Sequence, residues 1–182
     1  MEKLIIFGAL SIFILYFSRK NILRPHTHGF YRFLSWECIA WLFASNYKYW
    51  MVDPFGPLQL VSWLLLLLSL YLIIAAVVQF RKPGIKERNR KDPSLYNFEK
   101  TSSLITTGIF KWIRHPMYAS LLFLGWGIYF KQTSLVLFII TFASGIFLYL
   151  TAKADENECI NYFGEEYESY MKNTKMFIPL IF

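Results

Sequence analysis

The sequence predicts an all-α, polytopic membrane protein with about five transmembrane helices in one domain spanning residues 1–182. Three observations predict it. The composition is 55% apolar and 20% aromatic with only 17% charged residues, which excludes a disordered or collagen-like chain. The apolar residues lie in long uncharged runs. The positive charges fall in alternate segments between those runs.

The runs define the elements in order. Residues 4–17 form a short apolar stretch followed by Ser18-Arg19-Lys20. No small-x-small cleavage pattern follows, so it reads as a retained first helix. Residues 33–50 form a second span that carries Glu37, Asn46 and Lys48. Residues 58–80 hold no charge; as a helix they reach roughly 34 Å, enough for a hydrocarbon core of about 30 Å. Residues 117–130 and 132–152 are separated only by Lys131 and read as a tight helical hairpin. The expected organisation is three N-terminal helices over 1–80, a loop over 81–116, the hairpin over 117–152 and a tail over 153–182.

Charge orients these spans. Of the 19 Lys and Arg, sixteen lie in three alternate segments and three in the other three. Positive loops stay in the cytoplasm, so the N-terminus is expected outside and the C-terminus inside. The net charge of +7 is then an orientation signal, and no nucleic-acid partner is expected. The two cysteines make neither a disulfide framework nor a zinc site. His26 and His28 lack an evident third ligand, so no metal is expected there. Glu37 reads either as a functional intramembrane acid or as a partner of Arg32.

Nearly all polar chemistry sits in the 81–114 loop and the tail. In Arg114-His115-Pro116-Met117-Tyr118, Pro116 suits the first turn of a helix and His115 its cap. The free N–H groups of that turn, with Arg114 beside them, favour a carboxylate or phosphate. Tyr118 lies three residues on and shares a face with His115. In the tail, Glu156, Ile160, Phe163, Tyr167 and Tyr170 follow helical spacing along one stripe, and Asp155 starts the neighbouring face with Cys159 and Tyr162. A carboxylate-binding helix start thus meets an acidic, aromatic tail helix suited to a cation. The apolar end, 177–182, is expected to return to the membrane interface.

These stretches resemble the isoprenylcysteine carboxyl methyltransferase family, which includes similar phospholipid methyltransferases. Its pattern appears as residues 104–110, Arg114 to Tyr118, the Asp155-Glu156 pair ahead of Phe163-Gly164, then Tyr167, Tyr170 and Pro179. Phe110 stands where tyrosine is usual and Asp155 where glutamate is usual. The resemblance implies an S-adenosylmethionine-dependent methyltransferase with a cytoplasmic cofactor pocket formed by the loop, the start of the fourth helix and the amphipathic tail helix. Cofactor contacts carry over to Ser102, Ser103, Leu104, Ile105, Phe110, His115, Pro116, Met117, Tyr118, Asp155 and Glu156. Acceptor contacts carry over to Thr151 and Asn173. The implied partners are membrane lipids and a lipophilic acceptor, such as a prenylcysteine carboxylate or a lipid amine. If the acceptor must lose a proton, the candidate bases are Glu156, Glu158 and His115, with Glu156 ranked first because it shares the aromatic stripe. A membrane reductase using a nicotinamide also carries an Arg-His-Pro-x-Tyr motif and is the alternative, beside a non-catalytic interaction protein.

Overall fold

The computed structural model describes residues 1–81 and 103–179. Six α-helices make up the described chain: α1 (Glu2–Ile22), α2 (His28–Asn46), α3 (Pro57–Phe80), α4 (Pro116–Tyr129), α5 (Leu135–Phe163) and α6 (Glu165–Asn173). Three of them, α1, α3 and α5, are long and apolar enough to cross a membrane. The main packing pairs are α1 with α2, α2 with α5, α3 with α4, and α4 with α5.

Local chemistry explains where the helices begin. Thr27 caps α2, its Oγ1 accepting from the Phe30 N–H at 3.4 Å. The helix therefore starts five residues ahead of the predicted span. Ser134 caps α5 in the same way through the Leu137 N–H, at 3.2 Å. Proline occupies the first turn of both α3 and α4, and His115 is the cap residue of α4, as the sequence suggests.

The tail departs from the sequence expectation. Hydropathy drops at Lys153, yet α5 runs on to Phe163. The following residue, Gly164, takes φ +60° and ψ −136°, a conformation open essentially to glycine alone. The tail stripe is thus split between the end of α5 and the separate helix α6. Glu156, Tyr167 and Tyr170 are nevertheless all buried. Of the 177–182 segment, Phe177 packs into the core beside Met176, Ile113, Tyr118, Leu148 and Ala152 instead of turning to the interface, while 180–182 lie outside the described residues.

Polar ties fix the apolar helices against one another. Ser35 on α2 bonds Ser144 on α5 at 2.8 Å. The Ser62 hydroxyl on α3 donates to the Gly127 carbonyl on α4 at 2.6 Å. Asn46 donates to the carbonyls of Ile128 and Gln132, which close the far end of α4. Lys131 is buried there, donating to Gln59 Oε1 at 3.0 Å and lying over the Trp63 ring. Glu37 meets α1 rather than Arg32, accepting from the Ser11 hydroxyl at 2.8 Å. Arg32 lies over the Trp36 ring.

Candidate active site

A strap brings the two halves of the site together. Residues 112–115 run beside 174–176 and exchange backbone bonds. The Arg114 N–H donates to the Lys175 carbonyl at 2.8 Å, the His115 N–H to Met176 at 3.1 Å, and the Lys175 N–H to Trp112 at 3.1 Å. Arg114 then locks the strap with its side chain. Its Nε and Nη2 both reach Glu156 Oε1 at 2.9 Å, and its Nη1 donates to the carbonyls of Thr174 and Met171. Lys153 donates to the other Glu156 oxygen at 3.0 Å. Glu156 is only 2% exposed, and both its oxygens are paired with cations, the buried Arg114 and the half-exposed Lys153.

A cavity opens in front of this lock. Its walls come from Phe80 at the end of α3, the segment Leu104, Ile105 and Phe110, the residues Arg114–Tyr118, and Asp155, Cys159, Phe163, Tyr167 and Tyr170. Aromatic contacts build the walls: Phe80 meets Phe110 at 5.4 Å between ring centres and Tyr167 meets Tyr170 at 5.7 Å. The Tyr170 hydroxyl donates to the Phe110 carbonyl at 2.6 Å, tying α6 to the loop.

One acid dominates the polar part of the wall. The Tyr118 hydroxyl donates to Asp155 Oδ2 at 3.1 Å, and Cys159 approaches Asp155 Oδ1 at 3.7 Å. His115 stacks on Tyr118, ring centres 5.3 Å apart, with Nδ1 3.5 Å from Asp155 Oδ2. Its Nε2 is buried, 3.5 Å from Glu156 Oε1 and outside hydrogen-bonding geometry. Burial alone would lower the His115 pKa. The carboxylates of Asp155 and Glu156, each 3.5 Å from the ring, outweigh it and hold the value above that of free histidine. Burial pushes the Tyr167 and Tyr170 hydroxyls well above the usual tyrosine value, so both stay neutral.

Of the expected cofactor contacts, Leu104, Ile105, Phe110, His115, Pro116, Met117, Tyr118 and Asp155 share this one cavity. Ser102 lies outside the described residues, and Ser103 is exposed and off the wall. Glu156 sits behind the wall in the Arg114 lock. Thr151 is fully buried within α5, its hydroxyl donating to the Phe147 carbonyl at 2.7 Å. Asn173 lines a second cleft with Thr106, Lys111 and Glu166. The stripe spacing had already grouped Phe163, Tyr167 and Tyr170. Phe80 carried no signal, being the last residue of an apolar run.

The cavity suits a ligand with an aromatic ring and a cationic group. Flat rings line it, the Asp155 carboxyl faces it, and the N-terminal turn of α4 supplies the Met117 N–H, which has no acceptor inside its own helix. A helical chain whose loop, cap and tail close one acidic, aromatic cavity is the class that fold and site define. Residues 60–166, more than half of the chain, match the model of a family described as phospholipid methyltransferase. The chain belongs to that family. Two curated relatives align with parts of it. Methanethiol S-methyltransferase of Pseudomonas deceptionensis is 31% identical over 77 residues, covering 42% of this chain and 29% of the relative. Protein-S-isoprenylcysteine O-methyltransferase of Homo sapiens is 30% identical over 87 residues, covering 44% of this chain and 29% of the relative. The chain thus matches under a third of the length of either. No solved structure matches it significantly.

Proposed function

We propose that the protein is an S-adenosylmethionine-dependent methyltransferase of the membrane, acting on a lipophilic acceptor, with the cavity around Asp155 holding the methyl donor. The carrying observation is the convergence of loop, α4 cap and α5–α6 aromatic residues on one cavity, with Tyr118 and Asp155 hydrogen-bonded on its wall. Family membership supports the reaction class.

The residues present fit such a donor. Leu104, Ile105, Phe110, Phe163 and Tyr167 offer apolar and stacking surface for its adenosine. Asp155 opposes cationic charge, and the first turn of α4 is where a carboxylate is favoured. When bound, the cofactor supplies an electrophilic methyl on a sulfonium. The chain has to align the acceptor in line with that methyl and keep water out. Tyr118 and His115 hold the Asp155 carboxylate in place from one side. Arg114 and Glu156 hold the strap that carries His115, so we assign Glu156 to anchoring. In our reading the five helices α1 to α5 cross the membrane, the N-terminus is outside, and the cavity opens to the cytoplasm. One relative is named for methanethiol and the other for a protein isoprenylcysteine; prenylcysteine carboxylates, lipid amines and thiols are the classes proposed here.

The test is methyl transfer by the purified protein in liposomes, with methyl-labelled S-adenosylmethionine and a lipid extract as acceptor source. Label should move into organic-soluble product with wild type and not with Asp155→Ala. Absence of transfer by well-folded wild type to lipid, prenylcysteine and thiol acceptors alike would sink the proposal.

A further inference from the structure

We propose that His28 and Glu158 form a proton exit for the methyl acceptor, so that the acceptor is a protic nucleophile, a thiol or a protonated amine, rather than a carboxylate. The inference rests on the methyltransferase reading above and narrows its substrate class.

His28 opens α2 and is wholly buried. Its Nδ1 lies 2.6 Å from Glu158 Oε2 on α5, and its backbone N–H donates to Glu158 Oε1 at 3.5 Å. The Glu158 side chain is 24% exposed and reaches solvent. On the other side, donor atoms of His28, Asp155 and Glu158 all lie within 4.8 Å of one another. Asp155 lines the cavity. A run of neighbouring titratable groups therefore leads from the cavity wall to a carboxylate that reaches water.

Fastening α2 to α5 does not need such a line. Ser35 and Ser144 already tie the same two helices with neutral groups. A buried imidazole beside a site carboxylate adds something else, a group that exchanges protons near neutral pH. The Glu158 bond fixes the proton of the neutral ring on Nδ1 and leaves Nε2 with its lone pair, the arrangement by which a carboxylate orients a histidine base. The charged neighbours of His28 are Arg32 on the same helix and the carboxylates of Asp155 and Glu158. Cys159, Tyr118 and His115 each contact Asp155 on the cavity side.

The chemistry then balances without further reagents. A thiol or ammonium acceptor gives up its S–H or N–H proton, which passes by Asp155 to His28 and from Glu158 to water. The lone pair so freed bonds to the methyl carbon as the carbon–sulfonium bond breaks, and that bond's electron pair stays on sulfur as a neutral thioether. A carboxylate acceptor is already ionised and has no proton to send.

The test uses the full chain in liposomes with methyl-labelled S-adenosylmethionine and three probes: dodecanethiol, dodecylamine and N-acetyl-S-farnesylcysteine. His28→Gln and Glu158→Gln are compared with wild type over a pH series, and S-adenosylhomocysteine affinity is measured in parallel. The expected result is methylation of the thiol or amine, slowed about tenfold or more in His28→Gln at neutral pH. Affinity for S-adenosylhomocysteine should hold, and the rate of the variant should recover as pH rises and the acceptor ionises in bulk. A merely structural role would not give that recovery. Wild-type rates in both variants, turnover of the carboxylate probe alone, or no turnover of either protic probe would overturn the proton exit. If wild type does not bind S-adenosylhomocysteine, the methyltransferase reading itself fails; normal binding without dependence on His28 removes only the present inference.

Discussion

Replacing Arg114 by Ala should unfasten the candidate site. The arginine makes two 2.9 Å contacts with Glu156 and caps the carbonyls of Thr174 and Met171. Both partners are buried, with side chains 9% and 2% exposed. After substitution, Glu156 keeps Lys153, which is half exposed and so a weaker compensation. Removing one partner of a buried ion pair costs about 3–5 kcal/mol, mostly because the other charge is stranded. For a domain of this size that corresponds to a fall in Tm of roughly 6–20 °C. The assay is thermal or denaturant unfolding in detergent of Arg114→Ala, Glu156→Gln and the double variant. The double variant should recover much of the loss, with a coupling of about 2 kcal/mol or more. A loss below about 1 kcal/mol in Arg114→Ala, or strict additivity, would refute the lock.

Three further outcomes follow from the same geometry. The His115 pKa is raised in the fold, so its stabilising contribution is fully present below about pH 6.5, the unfolded value, and is lost as pH rises through the higher folded value; Tm measured from pH 6 to 9 should fall, and His115→Asn should flatten the slope. Tyr170→Phe leaves the Phe110 carbonyl without its 2.6 Å donor and should cost about 1–3 kcal/mol, checked by chemical denaturation. Gly164→Ala forces a side chain into a conformation reserved for glycine and should cost about 1–3 kcal/mol, with protease cleavage between α5 and α6 as its readout.

Much of the site could be read from the sequence because its determinants are local. Pro116 fixes a helix start by its missing N–H, which placed His115 at the cap and Tyr118 on the same face. Tail spacing put Tyr167 and Tyr170 together even though Gly164 breaks the helix between them and Phe163. The helix boundaries were harder. Hydropathy marks where a helix enters an apolar environment, but Thr27, Ser134 and Gly164 mark where the backbone starts and stops, so α2 and α5 outran their apolar runs. Long-range pairs left no periodic trace. His28 and Glu158 are 130 residues apart, and Arg114 meets Thr174 only because the strap folds back.

The most direct test of the central claim is calorimetric titration of the detergent-purified protein with S-adenosylhomocysteine, beside Tyr118→Phe and Asp155→Asn. Wild type should bind at micromolar concentration. Each variant, losing a contact at the acidic wall worth about 1.5–3 kcal/mol, should bind at least tenfold more weakly. No binding by folded wild type, or equal affinity in all three proteins, would contradict the assignment of this cavity to the methyl donor.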